Sequence, residues 1–221
     1  GVDLGNIADT IDLTLPVTGE TLEIAADTTE TLTVGEANSY AAITGDGTLQ
    51  LTGNAIATFD DLFGDGGIVA ETLTIAVPDG GTLVLTGTQA ASLTSLSGAG
   101  TVKIVETTGA DLDFSGISAS LDFTDADLSG DITLPVTVSG QTVTLSVDQL
   151  DGTTLTGDGT LVIDGTTVPT DADLSAVSVG IVVATALTLT AAQADGKTIT
   201  GTGDVTVTAL GGDAVDLSGI A

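Results

Sequence analysis

The chain has no cysteine, methionine, tryptophan, histidine or arginine, and its 31 aspartates and glutamates face only two basic residues, Lys103 and Lys197. Each absence closes a class of function. Without cysteine there is no disulfide, thiolate nucleophile or redox centre. Without histidine as well, nucleophilic triads and the usual zinc sites lose their bases and ligands. A pair of carboxylates, as in glycosidases, is formally left, but rings on which a sugar could stack are scarce: Tyr40, Phe59, Phe63, Phe114 and Phe123 are the only aromatics. The chain is therefore not expected to be an enzyme. A formal net charge of -29 predicts no nucleic-acid partner, since binding a phosphate backbone depends on Lys and Arg. No apolar run approaches the roughly 20 residues of a membrane helix, so no membrane insertion is expected. The start at Gly1 lacks the basic region of a signal peptide and reads as a processed or excised piece.

What is present is a repeat. The 42% of hydrophobic residues are almost all Val, Ile, Leu and Ala, set among Thr and 30 glycines. One phrase of about 22 residues recurs at 31–51, 82–104, 142–163 and 186–207. Each copy opens with alternating apolar residues, Leu32 and Val34, Leu83 and Leu85, Val143 and Leu145, Leu187 and Leu189, the period of a half-buried strand. Ser/Thr-x-x-Gln follows at Thr86 to Gln89, Ser146 to Gln149 and Thr190 to Gln193, with residues 35–38 standing in for it in the first copy. That spacing is a capping box and predicts a single helical turn. A short apolar segment then reaches Gly-x-Gly (Gly45 and Gly47, Gly98 and Gly100, Gly157 and Gly159, Gly201 and Gly203), a tight corner before a second alternating strand. No lysine-serine pair or long helix follows these glycines, so they are not read as a phosphate loop.

Strand, one-turn corner, short strand, glycine corner, strand is too brief for a βαβ crossover. It fits one coil of a stack in which each unit needs its neighbours to bury its apolar face. The expected fold is all-β, a parallel β-solenoid of about 22-residue coils running continuously over 1–221. If the spacers join in, about ten coils at a strand spacing of about 4.8 Å give a rod about 50 Å long. The rival, a tandem array of small sandwiches, has too few residues per unit, since an Ig-like domain takes roughly 100.

Three features are candidates for binding. Asp-x-Asp-x-Ser occurs at Asp111, Asp113 and Ser115, at Asp125, Asp127 and Ser129, and at Asp171, Asp173 and Ser175. Alternating oxygen ligands of this kind begin Ca²⁺ loops, although the Glu of an EF-hand is missing further on; the other reading is an exposed strand face with Leu112 and Phe114 inward. No cofactor is required, and Ca²⁺ is the one considered. Thr-x-Thr pairs (Thr31 and Thr33, Thr142 and Thr144, Thr188 and Thr190 among them) resemble the ice-binding face of β-solenoid antifreeze proteins. Finally, the chain opens with GVDLGNIA and closes with AVDLSGIA. Asp3, Leu4 and Ile7, with Asp216, Leu217 and Ile220, are expected to carry self-association, because uncapped stack ends invite pairing with a further copy.

The Leu-Thr-Leu-Thr, Gln-x-x-Gly and Thr-Gly-x-Gly phrases resemble the Thr/Gly/Asp-rich β-strand repeats of large secreted bacterial surface proteins, including adhesin-like, S-layer-like and filament-forming ones. That resemblance implies an extracellular structural role at a bacterial cell surface, secretion without disulfides, and often calcium.

Overall fold

The computed structural model describes residues 19–63, 67–93, 95–106, 112–114, 116–128, 132–133, 140–211 and 214–221. Strands in the first half are β1 (Thr21–Ile24), β2 (Thr29–Thr33), β3 (Ala42–Gly45), β4 (Thr48–Asn54), β5 (Thr74–Ala76), β6 (Thr82–Thr86), β7 (Thr101–Val105) and β8 (Leu112–Asp113). They continue as β9 (Ser120–Asp125), β10 (Ile132–Thr133), β11 (Thr142–Ser146), β12 (Thr160–Asp164), β13 (Gly180–Val183), β14 (Ala186–Thr190), β15 (Ile199–Gly201) and β16 (Asp204–Thr208). The helices are short: α1 (Val34–Ala37), α2 (Phe59–Phe63), α3 (Gly87–Ser92), a 3₁₀ turn at Val147–Gln149, and α4 (Ala191–Ala194).

The fold is all-β, and every strand pairing described is parallel. In the largest sheet β2, β4, β6, β7, β9, β11, β12, β13 and β15 lie side by side in chain order. Parallel neighbours need a return connection, and here the return is short. Thr142 pairs with Thr160, 18 residues on, and Leu121 with Val143, 22 on. The excursion carrying α2 stretches this to 26 at Thr48 with Thr74 and 30 at Gly53 with Leu83. The spacers thus belong to the same sheet as the copies.

Register places one inward residue on each strand in a single row: Leu83, Val102, Leu121, Val143, Leu161, Ile181, Ile199 and Ile220. All but the last are at most 1% exposed. Adjacent members stand about 4.8 Å apart, so each branched side chain touches its equivalents above and below, which is where β-branched residues and Leu pack best on a pleated surface. Phe114 and Phe123, both 0% exposed, meet edge to face at 5.3 Å within the same core.

The local expectations hold where the structure describes them. Thr33, Thr86 and Thr190 cap α1, α3 and α4 in full capping boxes, and at the 3₁₀ turn Gln149 reaches back to the Ser146 amide at 2.8 Å. The first copy is a correction: its box is Thr33 with Glu36, not residues 35–38, because the residue that reaches back must sit at the third helical position. At the first corner glycine two constraints coincide. Gly45, Gly98 and Gly201 have φ between 112° and 130°, where a side chain is strained, and a Cβ there would also strike the carbonyl of Ile24, Val77 or Val183. Gly47, Gly100 and Gly203 lie against the preceding strand's backbone, and a Cβ there would strike a carbonyl of Ala25, Pro78 or Thr185.

The four copies fall into two pairs. In the first, β4 carries β5 at Leu49 and Ile75, while the Ala55 amide just beyond it bonds to Val84 O at 3.0 Å. In the second, β12 carries β13 at Leu161 and Ile181, while the Val168 amide bonds to Thr188 O at 3.0 Å. In both pairs the chain leaving the leading copy pairs first with a spacer strand and then with the next copy.

Candidate functional site

The site that stands out is a set of turns that follow the strands of the parallel sheet and bond to one another. Asp173 sits in the turn at 173–177, where its Oδ1 accepts the Ser175 amide at 2.8 Å and its own amide donates to Asp151 Oδ1 of the preceding winding at 2.8 Å. The Ser175 backbone bond, then its hydroxyl and the nearby Lys197 charge, hold the Asp173 carboxyl below its ordinary range. Asp151 and Asp173 thus serve as structural acceptors.

Donors from the next winding close these turns. Lys197 Nζ donates to Leu174 O at 2.7 Å and Val177 O at 2.6 Å. Burial pushes the Lys197 ammonium below its usual value, and Asp173 partly restores it. Three glutamines do the same with a neutral amide. Gln193 Nε2 donates to Pro169 O at 2.6 Å and Ala172 O at 3.1 Å, Gln149 Nε2 to Phe123 O and Ala126 O at 2.7 Å each, and Gln141 Nε2 to Ile117 O at 3.1 Å and Ala119 O at 3.0 Å. Gln149 and Gln193 also accept the amides of Ser146 and Thr190 through Oε1 at 2.8 and 2.9 Å. One carboxamide therefore caps its own helical turn and satisfies the turn beneath it, and buried carbonyls are costly to leave unpaired. The Ser/Thr-x-x-Gln spacing signals the capping half of this device, and no sequence signal marks the clamping half.

Of the candidate calcium residues, Asp111, Ser115 and Ser129 lie outside the described residues, and the Asp113 side chain is not described either. Asp125 forms an ion pair with Lys103 at 2.6 Å, which raises the lysine's pKa. Asp127, Asp171, Asp173 and Ser175 are exposed. Among the described residues no three acidic side chains converge as a metal site would require. Leu112 and Phe114 point inward, 6% and 0% exposed.

Of the residues expected to carry self-association, Asp3, Leu4 and Ile7 lie outside the described residues. Asp216, Leu217 and Ile220 form the last turn, stacked on residues 195–199. The inward residues of β16, Val205 and Val207, are only half-buried, as are Leu217 and Ile220, and Leu210 is 66% exposed. Their counterparts Val102 and Ile104 are fully covered. Val205, Val207, Leu217 and Ile220 thus leave an apolar face partly uncovered beside the β16 edge.

Threonine and serine hydroxyls form a rank on the outer face, with Thr82 beside Thr101, Thr101 beside Ser120 and Thr142 beside Thr160. Ser120 Oγ accepts the Thr142 amide at 3.2 Å, and the hydroxyls of Thr142 and Thr160 are 3.2 Å apart. The next rank is mixed: Val84, Lys103, Asp122, Thr144 and Val162. Comparison with protein-family models, curated proteins and solved structures finds no match for the chain. No helix among the described residues is long and apolar enough to cross a membrane.

Proposed function

We propose that the parallel windings are the coils of a β-solenoid and that the protein is an extracellular structural element, a segment or subunit of a bacterial surface filament, surface layer or adhesin stalk. The observation that supports this reading most is the half-covered last winding. Val205, Val207, Leu217 and Ile220 offer the next coil the apolar row that every earlier coil buries. Stacking another coil there, from a second copy or from further sequence, covers that row at about 25 cal/mol per Å² and pairs the β16 edge. The high acidity, with no disulfide to be reduced and two sites for trypsin-like proteases at Lys103 and Lys197, suits an exposed scaffold.

Negative-stain microscopy tests the reading. Purified chain at rising concentration is expected to give fibres of constant width that lengthen end to end. Monodisperse particles under all salt and calcium conditions would defeat homotypic stacking.

A second reading, a binding module, draws on the hydroxyl rank from Thr82 to Thr160, which resembles an ice-binding ladder. Thermal hysteresis of the purified chain decides it. Calcium-dependent adhesion through Asp171, Asp173 and Ser175 belongs to the same reading and is tested by calorimetric titration with CaCl₂.

A further inference from the structure

The last turn repeats, bond for bond, a turn that holds an ammonium group. At 173–177 the Asp173 amide donates to Asp151 Oδ1, the Ser175 amide to Asp173 Oδ1 at 2.8 Å, the Val177 amide to Leu174 O at 3.0 Å, and the Gly152 amide to Asp173 O at 3.1 Å. At 216–220 the Asp216 amide donates to Asp195 Oδ1 at 2.7 Å, the Ser218 amide to Asp216 Oδ1 at 3.0 Å, the Ile220 amide to Leu217 O at 3.2 Å, and the Gly196 amide to Asp216 O at 2.9 Å. Identical bonding orients the carbonyls identically. In the first turn two of them, Leu174 O and Val177 O, bind Lys197 Nζ beside the Asp173 carboxylate.

We propose that Leu217 O, Ile220 O and the Asp216 carboxylate form a receptor for a lysine ammonium carried by the segment that stacks on residues 214–221. This rests on the stacking reading above and adds the chemistry of the neighbour. A lysine matches the site because two carbonyl lone pairs and one carboxylate supply acceptors and a negative charge, and no donor. The lysine is not one of this chain's own in its place, since Lys103 is paired with Asp125 and Lys197 is seated at 174–177. Residues 1–18 contain none. The receptor therefore selects, on this face, a winding that carries a lysine at its corner, as the Asp-Gly-Lys corner of 195–197 does.

The test uses the dispersed full chain and a small probe, so it is independent of filament formation. Backbone NMR shifts of the wild type are followed during titration with n-butylammonium chloride, with tetramethylammonium and potassium chlorides as controls at equal ionic strength. Saturable shifts confined to 216–221 are expected with butylammonium alone, weakened at least tenfold in Asp216→Asn, whose amide oxygen still accepts the Ser218 amide. Lys197→Ala, which vacates the equivalent turn, is expected to gain a second set of shifts at 173–178 and a higher melting temperature with butylammonium. Silence at 216–221 would overturn the proposal, whether or not Lys197→Ala responds. Equal shifts with potassium or tetramethylammonium would overturn the lysine assignment.

Discussion

Replacing Gln193 by Leu removes one carboxamide and takes a bond from three main-chain groups: the Thr190 amide, bonded at 2.9 Å, and the Ala172 carbonyl, bonded at 3.1 Å, lose their Gln193 partner, while the Pro169 carbonyl loses its 2.6 Å bond and keeps the Ala172 amide at 3.1 Å. Gln193 is 5% exposed, so water does not readily take its place. Leucine fills a similar volume, which isolates the polar loss from a cavity. A buried group left unpaired costs about 1–3 kcal/mol. Thr190 is half-buried and recovers part of its loss from solvent. The sum expected is about 3 kcal/mol, or a fall in melting temperature of roughly 6–12 °C for a chain of this size.

Gln89 provides the internal comparison. It too accepts its cap amide, from Thr86 at 3.0 Å, but it clamps one carbonyl, Ile56 O at 2.9 Å, from a half-buried position. Gln89→Leu is expected to cost about half as much. Urea titrations followed by far-ultraviolet circular dichroism give both values. A Gln193→Leu variant within about 0.5 kcal/mol of wild type, the range of ordinary surface changes, would refute the clamp, as would a larger loss at Gln89.

Other predictions follow the same geometry. Gly100→Ala sets a Cβ against Pro78 O and is expected to cost more than Gly180→Ala, whose Cβ meets nothing within 4 Å at an ordinary φ, as read from melting temperatures; equal losses would mean the close approach is unimportant. Phe123→Ala empties half of the Phe114 pair and is expected to lose about 3–5 kcal/mol by denaturant titration. Asp173 and Asp216 are held below their ordinary values by the Ser175 and Ser218 bonds. Their folded values lie below the unfolded one of about 3.9, so their stabilisation is complete above that pH and is lost as pH falls through the folded values. Carboxyl-carbon NMR titrations should give midpoints below about 3.9 for both; a midpoint at or above it contradicts the turn geometry. With a net charge of -29, melting temperature is expected to rise as salt shortens the Debye length from about 30 Å at 0.01 M to about 3 Å at 1 M. EDTA at fixed ionic strength separates any calcium contribution from screening.

Local features of the fold were legible because their chemistry is local. Thr86 to Gln89 is a bond across three residues, and Gly98 answers a backbone angle at its own position. Strand phase was legible as well, since the alternation of Leu83 and Leu85 against Val84 is itself the pleat. The clamps were hidden because their partners lie far back in the chain: Gln193 reaches carbonyls 24 and 21 residues earlier, and Lys197 reaches 23 and 20. A carbonyl carries no sequence signature, so only the winding reveals it. Asp171, Asp173 and Ser175 suggest a chain of oxygen ligands in the sequence, whereas the Asp173 carboxylate turns back on the Ser175 amide, as Asp216 does on Ser218.

Methyl-methyl nuclear Overhauser contacts in a selectively labelled sample test the central claim, one-way parallel winding, most directly. The row Leu83, Val102, Leu121, Val143, Leu161, Ile181 and Ile199 should give contacts between each member and the next in chain order, with Leu85 contacting Ile104 in parallel register. Contacts of Leu83 with Ile104 and of Leu85 with Val102 in place of these would mean antiparallel strands, and would contradict the stack and the function built on it.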